Sequence, residues 1–232
     1  MRADSTSGQP VRNAMSDRVY TLLRSRIIDL DLAPGARLQI DQFSAEFDVS
    51  PTPVREALNR LVAEGLVTAE PYRGFKVTAL LDHDELVQLL RAREALETAA
   101  AAHAAIVRDQ GTLERLDAVV QRMDELANAR ELEVKAFNAA DAQFHRLVVE
   151  ASGNRFMVHA FDSLHAHVQI SRHYQGRSVE EARCSNDEHR SLLDAITRSA
   201  GSEAADHVRA HLHGVLERLK TDHWAERDGD AS

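Results

Sequence analysis

Four side chains in this sequence have the types and spacing of a metal centre. Asp141 and His145 lie four residues apart, so in a helix they share a face, beside the packing residues Phe137, Ala140, Phe144, Val148 and Ala151. His189 sits among Ala182, Leu192, Leu193 and Ile196, and His211 among Val208, Leu212, Val215 and Leu219. His189 stands twelve residues before Gly201 and His211 ten after it. At the rise of an α-helix these are ~18 and ~15 Å from the turn, so two antiparallel helices would hold them at similar height. Three imidazoles and a carboxylate suit Zn²⁺, Ni²⁺ or Mn²⁺, with Zn²⁺ put first although spacing does not decide. The alternative for each is a hydrogen-bonded core histidine. His159, His165, His167, His173, His207 and His213 are rival ligands or surface residues, and His207, four before His211, is the strongest rival. Arg93 interrupts the stripe Leu86, Leu89, Leu90, Leu96 and Ala100, whereas Arg91 points elsewhere. A cation facing a core needs an anion, and a small carboxylate ligand would supply one.

Helices have to position these residues. Six segments fit, at 82–108, 112–128, 131–151, 155–175, 179–199 and 202–222, punctuated by Gly111, Ser152-Gly153, Gly176 and Gly201. Short connections make successive helices neighbours, which predicts an antiparallel all-α bundle over 82–223 and a frayed charged tail over 224–232.

The first third is organised differently. The net charge of −9 divides unevenly: residues 11–80 hold 9 basic and 9 acidic side chains, residues 81–232 hold 18 and 27, and all 12 histidines follow residue 80. This shift puts a domain boundary at Leu80 to Asp82, after a domain at 12–80 and a disordered tail at 1–11. No apolar run approaches the ~20 residues that cross a bilayer, and the first ten residues lack a secretory core, so a cytoplasmic protein with no membrane partner is expected. Cys184 is the only cysteine, which excludes an intramolecular disulfide and a thiolate zinc knuckle.

Within 12–80, Val19, Leu22, Leu23, Ile27 and Leu30 predict a helix over Ser16 to Asp31, ended by the Pro34-Gly35 turn. A second helix is expected from an acidic cap at Asp41 to Phe47, and a third from a Ser50 cap to Gly65, with Pro51 and Pro53 in its first turn. Its Val54, Ala57, Leu58 and Leu61 share one face and Thr52, Arg55 and Asn59 the other. Two short strand-like runs, Val67 to Glu70 and Phe75 to Thr78, flank the turn Pro71 to Gly74. Helix, helix, turn, helix and wing is an arrangement that seats one helix in the DNA major groove. Arg55 is then the first candidate for a base or phosphate contact, with Thr52, Asn59, Arg73, Gly74 and Lys76 beside it.

The stretches LAPGARL (32–38), DVSPTPVREALNRL (48–61), AEGLV (63–67) and RGFKV (73–77) resemble the signature of the GntR transcription regulators. The resemblance implies that Arg55 and Thr52 contact DNA. Pro51 stands where the family commonly has arginine, which removes one cation from that surface. In the second domain, REALE (93–97), DAQFHRLVVEASGN (141–154), Glu188-His189 before LLDAI, and His211-Leu212 resemble the FadR-like branch with an FCD-type ligand-binding domain. That resemblance implies metal ligation by Asp141, His145, His189 and His211. It also implies a homodimer on a palindromic operator, with repression released by ligand. The inward Arg93 near an inward metal site leads us to expect, as the effector, a small carboxylate or sugar acid that ligates the metal's open position and pairs with Arg93. A regulator for which the ion itself is the signal is the nearer rival. A metalloenzyme carrying a DNA-binding module is the farther one, and no general acid, base or nucleophile signature accompanies it.

Overall fold

The structure is a computed structural model that describes residues 9–165 and 178–223, and side chains over 14–165 and 178–219. The chain divides into two compact units between Leu80 and Leu81. Among the described residues it is mainly α, with nine helices and one small antiparallel sheet.

The first unit contains α1 (Gln9–Ile28), β1 (Arg37–Leu38), α2 (Ile40–Phe47), α3 (Pro51–Ala63), β2 (Val67–Glu70) and β3 (Gly74–Val77). Val19, Leu23 and Ile27 on α1 and Val54, Leu58 and Leu61 on α3 are fully buried together, so the three- and four-residue spacing decides which faces meet. Helix α1 starts before residue 11, so the expected tail loses its last three residues, and the first eight lie outside the described residues. It ends at Ile28, with Leu30 in the left-handed region at φ 61°, well ahead of the Pro34-Gly35 turn expected to stop it. Gln39, not Asp41, occupies the N-cap of α2, and Asp41 lies in its first turn, where a carboxylate favours the positive end of the helix. Ser50 is at the N-cap of α3 but makes no side-chain capping bond. A capping hydroxyl accepts from the second or third backbone N–H of the helix; the third residue, Pro53, has none, which leaves only the Thr52 N–H as a donor, and Ser50 does not engage it.

The sheet runs β1-β3-β2. β2 and β3 form the expected hairpin, with Val67 opposite Val77 and Glu70 opposite Gly74. β1 adds a third strand, pairing Arg37 with Lys76 and Leu38 with Phe75. Two residues are too short to show the alternation by which a strand is recognised.

The second unit is a bundle of α4 (His83–Val107), α5 (Gln110–Ala127), α6 (Val134–Ala151), α7 (Arg155–Ser163), α8 (Val179–Thr197) and α9 (Gly201–His223). Asp82 opens α4 with a capping box, accepting from the backbone N–H of Glu85 while the Glu85 side chain accepts from that of Asp82. Asp109 and Asn154 cap α5 and α7 in the same way on one side, and Ser178 with Glu181 repeats the full box on α8. Helix α7 stops at Ser163, with His165 at φ 47°, short of the expected end at 175, and 166–175 lie outside the described residues, as do Gly176 and 224–232. The reversal between α8 and α9 is carried by Ser199 at φ 62°, not by Gly201. Gly201 matters for packing instead. A Cβ there would lie 3.0 Å from the Ala102 carbonyl oxygen, so its missing side chain lets α9 start against the α4 backbone. Helix α4 packs along α9 and α6, and α8 along α5 and α9. Among the described residues no helix is long and apolar enough to cross a membrane.

Candidate metal centre and nucleic-acid interface

The bundle brings all four predicted ligands together. One donor atom from each of Asp141, His145, His189 and His211 lies within 4.8 Å of the other three. The three histidines are buried and Asp141 is 17 % exposed. Asp141 and His145 project from α6, His189 from α8 and His211 from α9, so three helices converge on one point. Asp141 Oδ1 is 3.6 Å from His189 Nε2. The imidazole centroids are separated by 4.5 Å (His189 to His211), 4.8 Å (His145 to His211) and 5.1 Å (His145 to His189), and the Phe144 ring closes the group 4.5 Å from His189.

Two carboxylates orient two of these rings. His145 Nδ1 lies 2.6 Å from Glu97 Oε2, and His211 Nδ1 lies 2.6 Å from Glu188 Oε2. Each glutamate is held in turn by an arginine: Arg93 Nε donates to Glu97 Oε1 at 2.6 Å, and Arg218 donates to both oxygens of Glu188 at 3.1 and 3.2 Å. Burial, and then the Arg93 charge, hold the His145 imidazole well below the ordinary histidine range, so it is neutral. Burial would raise the Glu188 carboxyl, but hydrogen bonds from His211 and Arg218 outweigh it and bring the pKa down to about 2. The ionised Glu188 only accepts, which puts the His211 proton on Nδ1, and both His145 and His211 turn Nε2 inward.

Those two Nε2 atoms are 3.1 Å apart. Inward lone pairs at that distance need a cation or a proton between them. Two nitrogens on one tetrahedral Zn²⁺ stand roughly 3.4 Å apart, from bonds of ~2.0–2.1 Å, so the donor set fits a divalent ion. The rivals lie elsewhere: His159 and His213 are exposed, His207 is 3.6 Å from Glu203, and His165 lies past the end of α7. His167 and His173 lie outside the described residues.

Residue spacing alone does not single out Glu97, Glu188 and Arg218 as parts of the site. Glu97 is within reach of such reasoning, because a buried arginine requires an anion and position i+4 of Arg93 supplies one. Among the described residues Arg93, 2 % exposed, is the largest fully buried side chain, and its Nη2 makes no hydrogen bond. Leu89 and Leu96 are only half-buried, and Glu97 takes the inward position expected of Leu96.

In the first unit Thr52, Arg55 and Asn59 are exposed along one side of α3, opposite Val54, Ala57, Leu58 and Leu61 in the core. Arg73 and Gly74 are exposed at the hairpin, where the turn places Tyr72 at φ 62° and Gly74 at φ 84°. Lys76 is half-buried and pairs with Glu70 at 2.5 Å, so it is not a free surface cation. In the same unit the Tyr20 hydroxyl donates to Glu64, Arg24 donates to the same carboxylate at 3.0 Å, and the Arg60 guanidinium lies 3.9 Å from the Tyr20 ring centroid.

Two family models cover most of the chain: Bacterial regulatory proteins, gntR family, over residues 7–77, and the FCD domain over 88–214. The chain belongs to the GntR family. Its helical unit is the FCD domain of that family, and the chain is a DNA-binding transcription regulator rather than an enzyme. A relative from Paenarthrobacter nicotinovorans named "Probable D-xylose utilization operon transcriptional repressor" is 29% identical over 210 residues, covering 90% of this chain and 89% of the relative. The HTH-type transcriptional repressor RspR of Escherichia coli is 25% identical over 215 residues, covering 91% and 90%. The E. coli McbR/YncC structure shares the fold with a TM-score of 0.72 at 20% identity, covering 89% of this chain and 97% of that one. Lar of Listeria monocytogenes does so at 0.66 and 22%, covering 89% and 96%.

Proposed function

We propose that this GntR-family chain is a repressor whose hold on operator DNA is set by a small carboxylate or sugar acid bound beside a divalent metal ion in the FCD domain. The observation that carries the reading is the convergence of Asp141, His145, His189 and His211, two of them oriented by carboxylates, with the Arg93 Nη2, which makes no hydrogen bond among the described residues, buried nearby. When bound, the ion would supply a fixed positive charge and a coordination point for an acid. The chain's own groups do the rest: Glu97 and Glu188 keep Nδ1 protonated on His145 and His211, and Arg93 offers a guanidinium N–H to an anionic group. Ser185, one turn before His189 on the same face of α8, is buried with its Oγ making no hydrogen bond among the described residues, which suits a hydroxylated acid.

Zn²⁺ is the first choice of ion, with Ni²⁺ or Mn²⁺ as alternatives. On DNA, Thr52, Arg55 and Asn59 would face the major groove, with Arg73 and Gly74 at the flanking backbone. Two copies of the chain would span a palindromic site, since two recognition helices about one turn of DNA apart read two half-sites. Lys76 joins them only by giving up Glu70. Four protein donors complete a tetrahedral shell, as in structural zinc sites, and this favours a second reading in which the ion itself is the signal.

One experiment separates these readings. Small organic acids are screened by thermal shift against metal-loaded and chelator-stripped protein, and operator release is followed by fluorescence anisotropy. Stabilisation by an acid only with metal present, with release of DNA, supports the effector reading. Release by metal exchange alone, with no acid, supports the ion as signal. No effect of either on DNA binding overturns both.

A further inference from the structure

The two arginine, glutamate and histidine chains that end on the centre have the same composition and different settings. Arg93, Glu97 and His145 are 2, 0 and 1 % exposed, whereas Arg218 and Glu188 are 14 and 26 % exposed. The outer chain has its own provision in the sequence. Gly214 lies on α9 between His211 and Arg218, and a Cβ there would fall 2.9 Å from Arg218 Nη1 and 3.2 Å from Glu188 Oε1. Glycine is a poor residue for the middle of a helix, and at this place its missing side chain is what admits the guanidinium and carboxylate. Arg218 grips both carboxylate oxygens, so Glu188 is fixed in angle as well as charge, and its Oε2 fixes the His211 ring.

We propose that Glu188, Arg218 and the gap at Gly214 form an outer positioning relay that sets the orientation and donor strength of His211, and through it the affinity of the centre for its divalent ion. This rests on reading Asp141, His145, His189 and His211 as an ion centre. Arg218 and Glu188 touch neither the ion nor the acid effector. They make ion affinity adjustable from the protein surface, while the buried Arg93 and Glu97 chain is fixed by the core.

The test uses the full-length protein with Zn²⁺ titrated against a competing chelator, and the Co²⁺-substituted form read by its visible absorption. Glu188→Gln keeps a hydrogen-bond acceptor and removes the charge, and should weaken Zn²⁺ roughly 10- to 100-fold. Arg218→Met should give a smaller loss, Arg218→Lys should recover part of it, and both Glu188→Gln and Arg218→Met should shift the Co²⁺ bands. Gly214→Ala is the sharpest variant: alanine favours the helix, yet it should lower Zn²⁺ affinity because the Arg218 and Glu188 pair must move. Wild-type Zn²⁺ affinity and Co²⁺ spectrum in both Gly214→Ala and Arg218→Met would overturn the relay. If the wild-type protein takes up no Zn²⁺ and no Co²⁺, the ion centre itself fails and the relay fails with it, a result set apart because it precedes any substitution.

Discussion

The two units of this regulator place their candidate site residues on opposite sides of the solvent boundary. In the winged unit Thr52, Arg55 and Asn59 are exposed and the layer beneath them is apolar, with Ser16 the one buried polar side chain among the described residues. In the FCD unit the candidate groups lie in the interior: Arg93, Glu97, His145, His189 and His211 are all 2 % exposed or less, and Asp141 is 17 % exposed. A surface that reads DNA can be altered without disturbing the fold under it. A buried polar centre cannot, because each charge removed leaves its partner stranded in a medium that solvates it poorly. Stability and DNA binding should therefore separate cleanly in the first unit, whereas stability and ligand sensing should be entangled in the second.

The largest test of that contrast is Glu97→Ala. It strips the buried Arg93 of its carboxylate partner and frees His145 Nδ1, and breaking a buried pair in this way costs ~3–5 kcal/mol. Urea unfolding should show a loss of that size, and a change below about 1 kcal/mol would mean that the centre is not coupled to the core. Next comes ion loading. Zn²⁺ at a hundredfold over its dissociation constant should stabilise the folded chain by about 2.7 kcal/mol, and His189→Ala should abolish the gain. Persistence of the full gain in His189→Ala would place the ion elsewhere.

The same contrast explains what can be read from the residues alone. Helices with strong stripes are legible, and so is the convergence of Asp141, His145, His189 and His211, because an antiparallel turn fixes relative height once helix rise is known. The outer carboxylates and Arg218 are not, since Glu188 and Arg218 look like solvent-facing residues until α8 and α9 are placed side by side. Local backbone chemistry accounts for the shifted ends: Leu30, His165 and Ser199 take left-handed conformations with no glycine to announce them. The Ser50 cap loses one of its two possible donors for a reason that is present in the sequence, namely proline at the third helical position.

On the exposed face of α3 the effects should fall on DNA and leave stability alone. Arg55→Ala should weaken operator binding by ~1–3 kcal/mol if Arg55 meets a base edge, and flatten discrimination at one position of the site. Its unfolding free energy should move by no more than the roughly ±0.5 kcal/mol typical of surface substitutions. Unchanged affinity and specificity would remove Arg55 from the interface. An equal loss on all sequences would assign it to the phosphate backbone.

The smallest expected effect tests whether the apolar layer under that surface relies on any polar tie. Tyr20 on α1 donates to Glu64 beyond the end of α3, and Tyr20→Phe should cost ~0.5–1.5 kcal/mol, the net worth of one hydrogen bond. Burial first, then the hydrogen bond to Glu64 and its charge, raise the Tyr20 phenol above its ordinary value of 10.0. A group whose folded pKa is raised contributes stability that is complete below the unfolded pKa and disappears as pH climbs through the folded one. The wild-type chain should therefore lose this increment above about pH 10, and the difference between wild type and Tyr20→Phe should shrink over the same range. A difference that stays constant across that range would show that the phenol is not held protonated by Glu64, and that packing alone joins α1 to α3.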